Sequence, residues 1–406
     1  MNNSTIGLPT EVVFCKRCTI SNQRPSTSVE FRNTASTAKQ FIDFNSEGIC
    51  DACRYAEIKK GIDWNERERE LFELLNRFRS SDGSHDILVP GSGGKDSIMT
   101  AHMLKHKYGM HPLLVTWPPI LPTSIGRRNF QAWLDLGFSN FTVYPNQLVN
   151  RYLTRLAFKN LLHPFQPFTI GQKNLAPKIA IQLNIPLVMY GENESEYGSN
   201  IRSAYNSQRD VASYAGSRDL SDLFLGGVSV EQLIANTDFH KSDFEAYLPI
   251  DMDQVETKGI EFHYLGYFVE WHPQSVYYYA VEHSGFEPNE FRTEGSYSKY
   301  SSIDDKLDWL HYYCRYIKFG QGRATSDTAQ EIRNDDITRD EGIRLIKRFD
   351  GETPMIYQKE TLDFMEMSNS EFIETIDSFR PPHLWERVNS GWRLKHPIWE
   401  DHISSK

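Results

Sequence analysis

A glycine-rich loop is the stretch of this sequence whose residue types are best suited to chemistry. It consists of Ser92, Gly93, Gly94, Lys95, Asp96 and Ser97. The loop follows a short apolar run at 87–89 and leads directly into a helical pattern. Glycines allow several backbone N–H groups to point at one anion, and the helix N-terminus, the lysine and the serine hydroxyls add further attraction. The sequence therefore predicts a phosphate-binding loop at the carboxyl end of a strand, where doubly wound sheets bind ligands.

The loop differs from the two commonest nucleotide-binding motifs. A Walker A motif has Ser or Thr after its lysine and a glycine five residues before the Gly-Lys pair, whereas this chain has Asp96 and Val89 at those positions. The loop also lacks the glycine spacing of the dinucleotide-binding fingerprint. It therefore indicates a different class of phosphate chemistry.

Four of the five cysteines form two Cys-x-x-Cys pairs near the N-terminus. The pairs are Cys15 with Cys18 and Cys50 with Cys53. Two such pairs complete a tetrahedral sulfur site suited to zinc, and four protein ligands leave no open position for catalysis. We therefore predict a structural zinc, with a redox-active pair or four reduced core thiols as the alternatives. The fifth cysteine, Cys314, lies on the apolar stripe of a helical pattern and is expected to be a core thiol.

The elements that must position these residues alternate between apolar runs and helical patterns. The apolar runs lie at 87–89, 113–115, 141–144 and 186–190. Such alternation is typical of βαβ units and predicts an α/β fold with a doubly wound parallel sheet. We expect three units: a ribbon-like zinc module at 1–60, a phosphate-binding α/β domain at 61–204, and an insertion followed by a largely helical region for substrate or partner at 205–406.

Several elements outside the four apolar runs can also be predicted. Helix caps are expected at Asp63 with Glu66 and at Thr338 with Glu341, because both pairs have capping-box spacing. Strand-like runs at 41–44 and 262–269 and a tyrosine-rich helix beginning at Pro273 complete the expectation. The caps and the runs predict where these elements begin, although they do not predict how the elements pack.

Composition and charge exclude several classes of function. The chain has 44 basic and 54 acidic residues, for a net charge of −10, which argues against a surface that binds nucleic acid or anionic membrane. No apolar run approaches the ~18 residues needed to cross a bilayer, and the first residues lack a signal-peptide pattern. We therefore expect a cytoplasmic protein with no nucleic-acid or membrane partner.

The glycine-rich loop resembles the PP-loop of the ATP pyrophosphatases, which split ATP between its α- and β-phosphates. From Cys15 to about Gly351 the chain is similar to the bacterial N-acetyl sugar amidotransferases of surface polysaccharide and nonulosonic acid biosynthesis. The segments that carry this resemblance are the two cysteine pairs, the loop, Gly191-Glu192-Asn193-Glu194, Ile317-Lys318-Phe319-Gly320-Gln321-Gly322-Arg323-Ala324-Thr325, Glu331-Ile332-Arg333 and Ile337-Thr338-Arg339-Asp340-Glu341.

The resemblance implies that ATP activates the acetamido group of a sugar, which ammonia then converts into an acetamidino group. It assigns ATP binding to the predicted α/β domain. It implies a Mg²⁺ site at Asp96 and Glu192, adenine-facing backbone at Thr116, and further cofactor contacts at Gly191. It also implies a clamp for phosphate or a sugar carboxylate at Lys318 and Arg323. The residues implied to bind the phosphates of ATP are Ser92, Gly93, Gly94, Lys95 and Ser97. Lys95, Asp96, Glu192 and Arg323 are the expected catalytic residues.

The source of ammonia is expected to be another subunit. The chain has Asn2 rather than an N-terminal cysteine nucleophile, and its cysteines are accounted for as zinc ligands or core. The resemblance implies a glutaminase with a cyclase-like subunit as partners, and an N-acetylated sugar as substrate. The alternatives are a PP-loop enzyme that modifies tRNA by thiolation, which would need a basic face and a reactive cysteine, and a non-catalytic zinc or nucleotide-binding scaffold.

Overall fold

The computed structural model describes residues 6–26, 30–198, 204–210, 216, 219–389 and 391–400. Its strands are β1 Ile87–Pro90, β2 Pro112–Thr116, β3 Ser139–Thr142, β4 Leu187–Tyr190, β5 Phe224–Leu225, β6 Val228–Ser229, β7 Glu261–Tyr264, β8 Trp385–Val388 and β9 Gly391–Leu394. Strands β1 to β4 and β7 form one parallel sheet in the order β3-β2-β1-β4-β7, while β5–β6 and β8–β9 are antiparallel hairpins.

Helices occupy most of the rest of the chain. The first group is α1 Asp51–Lys60, α2 Trp64–Phe78, α3 Lys95–His106, α4 Ser124–Asp135, α5 Gln147–Leu161 and α6 Gln166–Leu183. The second group is α7 Val230–Asn236, α8 Lys241–Phe244, α9 Met252–Lys258, α10 Leu265–Phe268, α11 Pro273–Ser284, α12 Lys306–Phe319, α13 Arg323–Arg333, α14 Arg339–Phe349, α15 Gln358–Met365 and α16 Asn369–Ser378. Short 3-10 turns lie at Glu30–Arg32, Glu194–Tyr197 and Glu245–Tyr247.

The central sheet is covered on both faces, which explains why its strands are apolar without alternation. Along β1, the side chains of Ile87 and Val89 pack with α2, α3, α4 and α11 on one face. Leu88, between them, packs on the opposite face with α5, α6 and the helices that follow the sheet. The predicted α/β fold with a parallel sheet is confirmed.

The strand order creates a switch point beside β1. The chain runs outward from β1 through β2 to β3, and then returns to place β4 on the other side of β1. Loops that leave the carboxyl ends of β1 and β4 therefore diverge and leave a crevice between them, which is the usual ligand site of such sheets. The glycine-rich loop follows β1, and Glu192 follows β4.

The helix caps expected from the sequence are present. The Asp63 carboxylate accepts hydrogen bonds from the backbone N–H groups at the start of α2. Thr338 and Glu341 form a reciprocal capping box on α14, which ends at Phe349. The helix predicted from Pro273 is α11.

Three expected strands differ from the structure. The run at 41–44 makes isolated bridges rather than a strand, and the predicted strand at 141–144 is shifted to 139–142. The run at 262–269 is a strand only as far as Tyr264, after which the chain turns into α10. Strand β7 joins the central sheet although it lies beyond residue 204, where the sequence analysis ended the α/β domain.

The N-terminal segment packs against the C-terminal helices. The four paired cysteines share one buried cluster with Ala329 and Ile332 of α13. Three hydrogen bonds join Ser21 to the Gln321 side chain, and the Arg339 guanidinium donates to the carbonyls of Cys15 and Cys18. Among the described residues, no helix combines the length and the apolar character that crossing a membrane requires.

Candidate functional site

The conformation of the loop after β1 requires glycine at two positions. Gly93 has a φ of +84°, and a Cβ there would lie 2.8 Å from the Cα of Phe130. A Cβ on Gly91 would lie 2.2 Å from the Cβ of Ser97. Gly94 is the N-cap of α3 and provides no capping side chain, so the first N–H groups of this helix have no side-chain acceptor at the cap. The loop therefore presents a helix N-terminus that favours an anion.

A cavity of about 400 Å³ lies above the loop, and we call it the phosphate-loop cavity. Its walls bring together seven of the site residues expected from the sequence. These are Ser92, Gly93, Gly94, Lys95, Asp96, Glu192 and Arg323. Residues that are distant along the chain thus meet at the switch point of the sheet, as the parallel topology requires.

Two carboxylates stand together on the loop side of the cavity. The Lys95 ammonium lies 2.7 Å from one oxygen of Asp96, and the indole N–H of Trp271 donates to the other oxygen at 2.7 Å. Glu192 accepts a hydrogen bond from the Tyr197 hydroxyl. Burial, and next the charge of Asp96, raise the pKa of Glu192 to about 7. A cation bound between them would therefore favour the ionised form of Glu192.

This donor set fits Mg²⁺. Magnesium prefers hard oxygen ligands and is usually held by one or two carboxylates together with the phosphate oxygens of a substrate. Asp96 comes from the start of α3 and Glu192 from the end of β4, so both carboxylates flank the place where the loop would hold a phosphate. A third carboxylate, Asp304, accepts a hydrogen bond from the Ser92 hydroxyl at 3.0 Å.

Four guanidinium groups line another part of the cavity, which we call the cationic wall, although the carboxylates of Asp327 and Glu331 also line the cavity. These guanidinium groups belong to Arg24, Arg315, Arg323 and Arg333. Arg323 lies over the ring of Tyr312, 4.5 Å from its centre, and its Nε is 3.0 Å from Asp327. Burial, and then Arg315 and Arg333, lower the pKa of Arg24 to about 9. Guanidinium groups this close repel one another, so an anionic ligand group would stabilise this wall.

Two loop-proximal residues expected to contact the nucleotide lie just outside the cavity lining. The Ser97 hydroxyl donates to the carbonyl of Gly94 at 2.9 Å, so it braces the loop from within α3. Gly191 lies behind Asp96, where an added Cβ would approach the side chain of Thr100 at 3.1 Å. Both residues support the shape of the site rather than its surface.

Two further expected residues lie away from the phosphate-loop cavity. Thr116 is buried at the end of β2, and its hydroxyl accepts a hydrogen bond from the Asn140 side chain. Lys318 is buried, and its ammonium donates to the carbonyl of Leu161 at 2.8 Å. The turn that separates Lys318 from Arg323 places the two side chains in different cavities. The paired clamp expected from the sequence is therefore not formed.

That turn is also more ordered than its glycines indicate. The side chain of Gln321 is buried and hydrogen-bonds to Ser21, and the backbone N–H of Gly322 donates to Asp350 at 2.8 Å. The side-chain and backbone contacts of this turn fix the start of α13 against the N-terminal segment.

The four paired cysteines converge as predicted. Their sulfur atoms all lie within 4.8 Å of one another, and every one of them is buried. The sulfur of Cys15 is 3.9 Å from that of Cys53, and the sulfur of Cys18 is 3.7 Å from that of Cys50. Thiolates about 2.3 Å from a central zinc would stand about 3.8 Å apart at the corners of a tetrahedron. The cluster therefore fits a closed metal site such as that of zinc.

Hydrogen bonds from the backbone further favour thiolates in this cluster. The backbone N–H groups of Arg17 and Cys50 both donate to the sulfur of Cys15 at 3.4 Å. The segment that leaves the first pair carries Ile20 and Arg24 into the wall of the phosphate-loop cavity. The cysteine cluster thus positions part of the candidate site, although no cysteine lines the cavity itself. Cys314 is fully buried in the main core, which confirms its prediction as a core thiol.

Several residues of the site were not expected from the sequence. These are Arg24, Tyr197, Trp271, Asp304, Tyr312, Arg315 and Arg333. Arg333 lies in a segment that carried the family resemblance, and an acidic pair before a helix could have directed attention to Asp304. We find no sequence signal for Trp271 or Arg24, because their roles depend on tertiary packing.

The chain is an α/β protein with a candidate anion-binding loop at the switch point of a parallel sheet. Residues 294–397 match a family model described as "LPS biosynthesis protein WbpG-like, C-terminal domain". This segment contains α12 to α16 and the β8–β9 hairpin, and it contributes most of the cationic wall. The match supports a protein family of polysaccharide biosynthesis.

One curated relative is similar over a short stretch. The uncharacterized protein MJ1599 of Methanocaldococcus jannaschii is 29% identical to this chain over 80 residues. The matched stretch covers 20% of this chain and 28% of that protein.

Proposed function

We propose that the protein is an ATP-dependent amidotransferase that converts the acetamido group of a sugar into an acetamidino group during surface glycan biosynthesis. The observation that carries the proposal is the position of the Ser-Gly-Gly-Lys-Asp-Ser loop at the switch point, with Lys95, Asp96 and Glu192 on one cavity. The similarity of the loop to the PP-loop and the match to an LPS biosynthesis domain support it.

The proposed reaction has two steps that balance. The amide oxygen is a poor leaving group, so it first attacks the α-phosphorus of ATP, which releases pyrophosphate and gives an O-adenylated imidate. Ammonia then adds to the imidate carbon, and AMP departs with the former amide oxygen. The products are the acetamidino sugar, AMP, pyrophosphate and a proton. Both leaving groups are anions, so the site must stabilise negative charge.

The loop side of the cavity would bind the phosphates. Backbone N–H groups at Gly93, Gly94 and the start of α3 would hold the β- and γ-phosphates, and Lys95 would neutralise charge on the departing pyrophosphate. Asp96 and Glu192 would hold Mg²⁺, which supplies further charge neutralisation when bound. The indole of Trp271 fixes the orientation of Asp96 through its hydrogen bond at 2.7 Å.

The cationic wall would bind the sugar. Arg323 is held by Asp327 and by the ring of Tyr312, so its guanidinium is oriented before a ligand arrives. Arg315 is similarly held, since it donates to the Ser326 hydroxyl at 2.7 Å. Oriented guanidinium groups bind carboxylate and phosphate oxygens well because little side-chain entropy is lost. We infer an acidic group on the sugar or on its carrier.

Ammonia would come from a separate glutaminase, together with a cyclase-like subunit, in the cytoplasm. All five cysteines lie among the described residues, and none of them lines the phosphate-loop cavity. Burial raises the pKa of the Cys314 thiol, so it is a poor nucleophile. The same observation argues against the alternative of tRNA thiolation, which requires a reactive cysteine beside the nucleotide, as does the net charge of −10.

The test is an analysis of products. The protein is incubated with ATP, Mg²⁺, ammonium and a panel of N-acetylated acidic sugars and nucleotide sugars, and AMP, pyrophosphate and the modified sugar are quantified. We expect AMP, pyrophosphate and the modified sugar in equal amounts, both from the wild type and from Lys105→Ala, which removes a half-buried lysine of α3 that does not line the cavity. Lys95→Ala should form almost none. Release of ADP and phosphate, or efficient use of glutamine by this chain alone, would refute the proposal.

A further inference from the structure

A second cavity of about 310 Å³ adjoins the phosphate-loop cavity. Arg24 and Arg315 line both cavities, so their side chains form the wall between them. We call the second one the cationic cavity. Its other walls come from the 3-10 turn at Glu30–Arg32, from α6 and from α12.

The charged residues of the cationic cavity are strongly unbalanced. Among the described residues that line it, the cations are Arg24, Lys39, Lys173, Arg315 and Lys318. The carboxylate among them is Glu30, whose oxygen lies 3.5 Å from a ring nitrogen of His163. This local excess of positive charge stands in a chain whose net charge is −10. Mutual repulsion of buried cations costs stability, so such an arrangement indicates an anionic ligand.

Polar side chains of the cationic cavity retain unused hydrogen-bonding capacity. Within the described part of the chain, the buried Nη2 of Arg315 and the Nδ1 of His311 have no hydrogen-bond partner. Lys318 donates to the Leu161 carbonyl, and an ammonium has two further N–H groups. Burial, and then Lys39, lower the pKa of Lys318 to about 8, so a bound anion would stabilise its charged form.

We propose that the cationic cavity binds the phosphate group of the acceptor, at a site separate from the phosphates of ATP. A phosphate or diphosphate ester suits the cavity because it carries two or more charges and accepts several hydrogen bonds. The shared wall of Arg24 and Arg315 then places the rest of the acceptor beside the phosphate-loop cavity. The identity of the acceptor rests on the proposed function, whereas binding of a phosphate in this cavity does not.

Binding is tested first, with inorganic pyrophosphate as the probe. Calorimetry is performed with Lys95→Ala, because this substitution weakens pyrophosphate binding at the loop. The remaining binding then reports on the cationic cavity. Adding Lys318→Gln or the less buried Lys173→Gln should weaken that binding about 10- to 100-fold, as expected for charge-assisted hydrogen bonds. Lys241→Gln is the matched control, since it removes an exposed lysine that does not line the cavity, and it should leave pyrophosphate binding unchanged. Equal affinity in all four proteins, with unchanged thermal unfolding, would overturn the proposal.

Kinetics then show whether the cavity binds the phosphate group of the acceptor or the free pyrophosphate product. For a phosphorylated N-acetyl sugar, Lys173→Gln should raise KM at least 10-fold with little change in kcat, and KM for the same sugar without phosphate should not change. If both KM values are unchanged and only inhibition by pyrophosphate is relieved, the cavity binds free product and our assignment to the acceptor is wrong. If no protein forms AMP but pyrophosphate binding depends on Lys173, the proposed function fails while the anion site stands.

Discussion

Replacing Cys15 by serine is expected to abolish metal binding and to unfold the N-terminal segment. The sulfur of Cys15 occupies one corner of the cluster, 3.9 Å from that of Cys53, and it accepts two backbone N–H groups. Structural zinc sites bind with an apparent free energy of about 10–16 kcal/mol, and that energy contributes directly to folding. Loss of one ligand should therefore lower the free energy of unfolding by about 4 kcal/mol or more.

The destabilisation should extend to the functional site. The carbonyls of Cys15 and Cys18 accept hydrogen bonds from Arg339, and the Thr19 hydroxyl is 3.1 Å from that of Thr328 on α13. Freeing the segment would therefore loosen α13, which carries Arg323 into the phosphate-loop cavity.

The assay combines elemental analysis with thermal and denaturant unfolding. Wild-type protein purified in metal-free buffer should contain one zinc per chain, and Cys15→Ser should contain almost none and aggregate. Cys314→Ser is the matched control, because it also replaces a fully buried cysteine. It should keep its zinc while losing only about 1–3 kcal/mol for burying a hydroxyl. Substoichiometric zinc in the wild type, or full zinc and stability in Cys15→Ser, would refute the reasoning.

Three further predictions concern the cavity. Lys95→Ala should lower the rate of AMP formation by about 10²- to 10³-fold with an unchanged melting temperature, and a near-normal rate would place the phosphate site elsewhere. Burial and Asp96 raise the pKa of Glu192 from 4.5 to about 7, so the folded protein favours the neutral form and its stability falls as pH rises from about 4.5 to about 7. Without Mg²⁺, Glu192→Gln should lose that part of the pH dependence of thermal unfolding. Parallel curves of melting temperature against pH for the two proteins would contradict this. Trp271→Phe keeps an aromatic ring but removes the indole N–H bonded to Asp96, so the apparent affinity for Mg²⁺ in the ATP reaction should fall about 10-fold. An unchanged Mg²⁺ dependence would show that the indole does not position Asp96.

The sequence was most informative where a residue type has one physical explanation. The loop after β1 needs glycine for its backbone, and its position between an apolar run and a helix was sufficient to predict a phosphate-binding turn. The paired cysteines were similarly informative, because two pairs of thiolates have few uses together. The covered sheet was predictable since strands buried on both faces are apolar throughout.

The sequence was least informative about where side chains point and where the chain turns, because these depend on tertiary packing. Lys318 and Arg323 lie five residues apart, but Gly320 between them ends α12 in the left-handed conformation, with a φ of +67°. The chain therefore reverses, and the two cations point into different cavities. The apolar run at 262–269 was ambiguous for a similar reason. It bends after β7 because the N–H of Gly266 donates to the carbonyl of Gly191.

The residues missed by sequence reasoning act through long-range contacts. Trp271 reaches Asp96 from the segment between α10 and α11, and Arg24 reaches the cavity from the N-terminal segment. Neither residue has a neighbour in sequence that indicates its partner. These two site residues can be identified only once the fold is known.

The central claim, that the amide oxygen of the sugar is adenylated, is tested most directly by following that oxygen. The acetamido carbonyl is labelled with heavy oxygen, the sugar is incubated with the protein, ATP, Mg²⁺ and ammonium, and the AMP is analysed by mass spectrometry and phosphorus NMR. The proposed mechanism predicts that one labelled oxygen appears on the phosphorus of each AMP formed. AMP that carries no label, with the label still on the sugar or in water, would contradict it.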